Sequence, residues 1–171
     1  LLSDTQMVSR ELPAIIVGLR GLAYMEVRVR GPAKDLHSGV YGGPVENPAN
    51  ALATILAGLR DERGRVTVPG FYDDVRPIGD LDREQLARIP FDPEEFREET
   101  GVPALAGEEG YEPLEQLGYR PTLDVNGLLS GFTGEGAKTV LPAKAMAKVS
   151  MRLVPDQDPA AVEAAFEERV R

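Results

Sequence analysis

The chain has 171 residues, 42% of them hydrophobic, which is enough for one domain with a true core and too few for two comfortable ones. Nineteen basic against twenty-eight acidic residues leave a formal charge of -9, which repels phosphate backbones and anionic lipid, so neither nucleic acid nor a membrane is an expected partner. The absence of cysteine removes disulfides, thiolate metal sites and cysteine nucleophiles together and agrees with a reducing, cytoplasmic setting, while no apolar run approaches the roughly 20 residues that cross a bilayer.

In chain order, Leu1 stands where a methionine would, and Ser3-Asp4-Thr5 runs into an apolar stretch with no element before it. At the other end Val170-Arg171 closes a helical pattern with no capping glycine, so both ends read as cuts in a longer polypeptide. Pro13 to Arg20 has β character. Beyond Gly21, Ala23, Met25, Val27 and Val29 alternate with Tyr24, Glu26, Arg28 and Arg30, the period of a half-buried strand over 22–30. Gly31 to Pro44 is a glycine-rich loop that carries the only histidine, His37. Asn47 and Pro48 then supply a cap and a first-turn proline for a helix whose Leu52, Ile55, Leu56 and Leu59 share one face, with Gly64 near its stop.

Arg65 to Val68 is a short strand candidate. From Pro69 to Tyr119 the chain turns acidic and proline-punctuated, with small amphipathic pieces at 82–88, 93–100 and 112–117, which predicts an insertion built of short helices. Thr122 to Ser130 returns to strand propensity and Gly131 to Gly136 is a turn. Lys144 to Val154 alternates again, with Ala145, Ala147, Val149, Met151 and Leu153 on a core face and Lys144, Lys148, Ser150 and Arg152 on the other. Asp158-Pro159 starts a helix with Val162, Ala165, Phe166 and Val170 as its apolar stripe. Strand, helix, strand, strand, helix is a βαββα path that lacks only a last strand of the split-βαβ motif. The expected fold is therefore an α+β, ferredoxin-like two-layer sandwich, an antiparallel sheet with two helices on one face plus a short-helix insertion at about 69–119. Such a sheet leaves an open edge, a template for pairing with another chain.

The chemistry concentrates in Lys34-Asp35-Leu36-His37-Ser38-Gly39-Val40-Tyr41-Gly42-Gly43. Glycines there permit a loop that holds His37 at an exposed tip, where a neutral imidazole can donate one N–H to a developing oxyanion and use its other nitrogen to fix the ring. One histidine without cysteine does not build a catalytic zinc site, which takes about three protein ligands, and no HExxH is present. Ser38 beside His37 does not make a serine triad, since no Gly-x-Ser-x-Gly elbow exists. Arg152 lies on the wet face of its strand, where a guanidinium suits bidentate capture of a carboxylate or is simply solvated. Asn126 and Thr139 are polar residues that either line a cleft or serve no site.

Four stretches together resemble the middle portion of the carnosinase-type metallopeptidases, relatives of the aminoacylases, succinyl-diaminopimelate desuccinylases and glutamate carboxypeptidases. They are Leu19-Arg20-Gly21; Asp35-Leu36-His37-Ser38-Gly39 with Gly42-Gly43 and Asn47-Pro48; Asp124-Val125-Asn126-Gly127; and Lys138-Thr139-Val140-Leu141-Pro142 followed by Arg152-Leu153-Val154-Pro155. The resemblance implies a dimerisation and lid domain, inserted in a separate catalytic domain that holds two zinc ions; no metal is expected in this chain. It implies that His37 reaches the partner subunit's active site in a homodimer and stabilises the oxyanion there. Arg152 would bind the free carboxylate of a small peptide or N-acyl amino acid, and Thr139 and Asn126 would line the pocket. It further implies that residues 1–21 are hinge and catalytic-domain remnant, that 22–171 are the lid, and that the isolated chain is an inactive piece of a dipeptidase or amidohydrolase. A stand-alone ferredoxin-like ligand-binding or regulatory module is the alternative from another class.

Overall fold

The computed structural model describes residue 16 and residues 18–171. Its elements are β1 (Gly21–Arg30), β2 (Leu36–His37), α1 (Ser38–Tyr41), α2 (Pro48–Ala57), α3 (Asp80–Leu86), α4 (Pro93–Thr100), α5 (Pro113–Gly118), β3 (Thr122–Ser130), β4 (Val140–Leu141), β5 (Lys144–Leu153) and α6 (Pro159–Val170). The strand expected over Pro13 to Arg20 falls largely outside the described residues, and residues 18–20 are not in a strand.

The alternation of β5 sets the architecture. Ala145, Ala147, Val149, Met151 and Leu153 are all buried, and β5 pairs antiparallel with β1 on one side and β3 on the other, giving the order β1-β5-β3. Ala23 and Val27 of β1 and Leu123 of β3 join the same face, and Leu52 of α2 with Val162 and Phe166 of α6 pack onto it. The result is a mixed α+β domain with both long helices on one side of a small antiparallel sheet, as the periodicities predict. Asn47 caps α2 through its side-chain oxygen, which accepts from the Ala49 N–H at 2.9 Å, with Pro48 in the first turn. Gly31, at the end of β1, meets Pro48 so closely that a Cβ there would stand 2.3 Å from the proline Cγ, which fixes where α2 begins.

Three details differ from the sequence reading. Helix α2 stops at Ala57, well before Gly64, because the Gly58 carbonyl accepts from the Thr67 hydroxyl and from the Arg169 guanidinium while Leu59 turns inward to full burial. Arg65 to Val68 is not a strand. It makes one isolated antiparallel bridge, Arg60 to Val66, and its apolar character is used in burying Val66 and Val68 in the core. Within 31–44, read as loop, lie the two-residue strand β2 and the single helical turn α1.

Segment 69–119 holds the short helices α3, α4 and α5 close to their predicted positions. Asp92 caps α4 and Gly101, at φ 69°, ends it. The segment is fastened by arginines. Arg120 makes a bidentate pair with Glu108, both contacts 2.7 Å and both side chains 6% exposed, and its guanidinium lies 4.2 Å from the Tyr111 ring centroid and 5.0 Å from that of Tyr72. Burial alone would lower the pKa of Arg120, but the hydrogen bonds and charge of Glu108 outweigh it and hold the group raised. Arg65 adds a second cation 3.1 Å from Glu108. At the turn after β5, Asp156 sits in the left-handed region at φ 77° and is gripped by both arms of Arg76.

Replacing Arg120 with Met leaves a buried carboxylate with only Arg65 beside it, and the expected cost is about 3 kcal/mol, read as a lower urea midpoint with amide exchange rising first across 105–120. A second expectation concerns acid. The Arg76 hydrogen bond holds the Asp156 carboxyl below its ordinary value, so the pair stabilises the fold above the normal carboxylate range and that contribution is lost as pH falls through the depressed value. The stability difference between wild type and Arg76→Gln should therefore persist at neutral pH and shrink below about pH 4.

Candidate functional site

His37 is displayed by a ladder of only two residue pairs, β2 with β4. Leu36 and His37 pair with Leu141 and Val140, and the Ser38 N–H donates to the Thr139 carbonyl at 2.9 Å. The Asp35 carboxylate accepts from the Ala143 N–H at 2.8 Å, and the Gly31 N–H donates to the Ala143 carbonyl at 2.9 Å. The histidine loop is thus tied along its length to the segment that runs into β5.

Two hydrogen bonds orient the ring. The Gly39 N–H donates to Nδ1 at 3.0 Å, and Nε2 lies 3.1 Å from the Thr139 hydroxyl oxygen. A ring nitrogen that accepts a backbone N–H carries no proton, so the neutral imidazole holds its proton on Nε2 and donates it to Thr139. Glycine at 39 is a requirement of close approach, since a Cβ there would stand 2.9 Å from Cε1 and 3.1 Å from Nδ1. His37 and Thr139 are both exposed, and so are the neighbouring Val40 and Tyr41. The structure therefore brings together two of the four predicted site residues.

It does not bring the other two to them. Arg152 is in register with Leu22 and Thr122 on the outer face of the sheet, eight residues along β5 from Lys144, about 26 Å at the usual strand rise. Asn126 is the extra residue of a β-bulge, between the pairs Val125–Val149 and Gly127–Lys148, and is exposed midway along the sheet. The bulge reverses the pattern along β3, so that Leu128 returns to the helix side and Leu129 to the outer side.

A residue that the chemical reading passed over lies near Arg152. The Arg20 guanidinium donates to the carbonyls of Gln116 and Arg120 at 3.3 and 3.2 Å, which ties the start of β1 to segment 69–119. Its pKa is lowered, first by burial and then by the positive charge of Arg152, with Asp124 acting in the opposite sense. Two guanidinium groups are therefore held at one end of the outer face. Arg20 also lines a cleft of about 660 Å3 between the segment and β3, with Arg60, Thr122 and Asp124. The only sequence signal was its place in Leu19-Arg20-Gly21. Among the described residues no three His, Asp or Glu side chains gather into a metal-holding group, and no helix is long and apolar enough to cross a membrane.

This fold, a small antiparallel sheet with its two long helices on one face, meets a known class. Residues 17–171 match the model of the peptidase dimerisation domain, and the chain belongs to that family. It is 34% identical over 169 residues to the Cys-Gly metallodipeptidase of Schizosaccharomyces pombe, covering 99% of this chain and 36% of that protein. Its fold superposes on human carnosine dipeptidase 1 with a TM-score of 0.87 at 34% identity, covering 98% of this chain and 35% of that one. A metallo-carboxypeptidase from Sulfolobus solfataricus gives 0.84 at 39% identity, covering 92% and 41%. The chain spans about a third of the length of the curated relatives it matches. Family membership decides between the two classes left open by the sequence, in favour of the peptidase domain and of a role in association.

The His37 geometry gives a direct test. Long-range proton–nitrogen spectra should show the Nε2-protonated tautomer, and Gly39→Ala should move the ring, mixing the tautomers without altering the overall fold. An unchanged imidazole spectrum in that variant would contradict the packing just described.

Proposed function

We propose that this chain is the dimerisation and lid domain of a zinc-dependent dipeptidase or related amidohydrolase, and that it completes the active site of a homodimer from two separate positions. His37 serves the partner's site and Arg152 holds the free carboxylate of a small peptide or N-acyl amino acid in its own. The observation that carries this reading is that the histidine loop is tied to the segment leading into Lys144 while Arg152 lies at the far end of β5. A dipeptide spans far less than the length of β5, about 26 Å from Lys144 to Arg152, so opposite ends of the strand suit two different sites, with a two-fold partner supplying the missing residue of each.

Each part has its own support. The Nε2 proton of His37 rests on an exposed hydroxyl, ready to be redirected to an oxyanion, and Thr139 stands where it would line the same pocket. Exposed Val40 and Tyr41 suit a tip that enters another protein surface. On the helix side of the sheet Val125 and Leu128 of the edge strand β3 are 44% and 63% exposed, since α2 and α6 lie over β5 and β1, which leaves room for a second copy's helix beside a second copy's strand. The order β1-β5-β3 with both helices on one face supports the ferredoxin-like description, with 69–119 as an insertion, 22–171 as the lid and 1–21 as hinge. Asn126, lifted by the bulge, would line the pocket from the sheet. Zinc belongs, in this reading, to the part of the protein outside this chain, where it would polarise the scissile carbonyl and activate water. The lack of cysteine supports a cytoplasmic setting.

The test uses the whole protein. His37→Ala should lower turnover by roughly two to three orders of magnitude without loss of bound metal. Mixing that variant with Arg152→Ala, under conditions where subunits exchange, should restore about a quarter of wild-type activity, because half of the dimers then contain one intact site. No recovery, with exchange verified, means that both residues serve the same site from one chain and rejects the proposal.

A further inference from the structure

The charge of the chain is sharply divided. Segment 69–119 contains fourteen acidic and four basic side chains, so it accounts for the whole formal charge of -9 and the remainder is close to neutral. On the outer face of the sheet, at the end that carries the β2–β4 ladder, the sign reverses. A cleft of about 680 Å3 is lined there by Arg28, Arg30, Lys144 and Lys148, over the apolar Leu129 and Met146.

Its two carboxylates are already engaged. Glu26 is shared between Arg28 and Lys148, and Asp35 accepts the Ala143 N–H. Arg30 and Lys144 are different. They are directly opposite each other across the β1–β5 ladder, both exposed, and neither takes part in an ion pair among the described residues. Like charges placed directly opposite on a sheet destabilise it. Asp35 lines the same cleft and keeps its charge while accepting the Ala143 N–H, yet it is within ion-pair distance of neither cation.

We propose that Arg30 and Lys144 form a binding site for a small oxyanion, a carboxylate or a phosphate, with Arg30 as the planar fork and Lys144 as the point charge. The site is separate from Arg152, which lies at the opposite end of β5, and does not depend on the active-site assignment above. The anion supplies the compensation that the sheet lacks, and Arg28 and Lys148, although paired with Glu26, add to the field that draws it in.

The experiment uses this chain with inorganic phosphate and, separately, succinate as probes, each against chloride at matched ionic strength. Backbone and arginine side-chain resonances of Arg30, Gly31, Ala143 and Lys144 should shift and saturate at roughly millimolar probe, and the thermal midpoint should rise. Saturation by phosphate alone assigns phosphate, by succinate alone a carboxylate, and by both the shared chemistry. Arg30→Gln and Lys144→Gln should each weaken binding about tenfold while raising the midpoint in chloride, because each relieves the repulsion. Arg30→Lys keeps the charge and should bind more weakly than wild type, which separates the fork from the net charge. Shifts that never saturate, shifts spread evenly over remote cations such as Arg88 and Arg171, or variants that bind like wild type would overturn the proposal.

Discussion

A strand that buries every second side chain and is hydrogen-bonded along both edges has no freedom to slip, because a one-residue shift would expose five buried side chains at once. β5 is that strand here. Its register with β1 and β3 fixes which face takes the helices and which stays wet. Its two ends fix where the candidate site residues lie. The segment leading into it pairs with the histidine loop, and its last turn of pleat carries Arg152.

What the sequence revealed about this arrangement was whatever has a period. The alternations at 22–30 and 144–154, the capped helix opening at Asn47 and the apolar stripe of α6 all survive, because burial repeats along an element and leaves a repeated mark. The β2–β4 ladder has two residues a side, too few for any period, and it was Leu36 and Leu141 coming together across more than a hundred residues that made it. The bulge at Asn126 is a change of one residue in pairing, which leaves the composition of β3 untouched. The end of α2 depends on Thr67 and Arg169 reaching the Gly58 carbonyl, groups that a local reading does not see.

The candidate site was legible in the same uneven way. His37 stood out as the only histidine, in a glycine-rich context, and Arg152 by its place on a wet face. Thr139 had no distinguishing feature of its own. Its meaning lies in the contact with His37 Nε2, 102 residues away in sequence, which the two-residue ladder creates. Arg20 was hidden for a similar reason, since its hydrogen bonds go to backbone carbonyls at 116 and 120, and carbonyls leave no trace in side-chain chemistry.

Beyond Phe71, which is buried in the core, the short-helix segment is tied to the sheet domain by guanidinium groups: Arg20 on two carbonyls, Arg65 and Arg120 on Glu108, Arg76 on Asp156. Such contacts have a chemical competitor in common laboratory use. Guanidinium chloride presents the same planar fork to the same carboxylates and carbonyls and also screens their charges, whereas urea does neither with comparable strength. Guanidinium should therefore loosen these polar fastenings ahead of the core that Phe71 joins, whereas urea meets both intact.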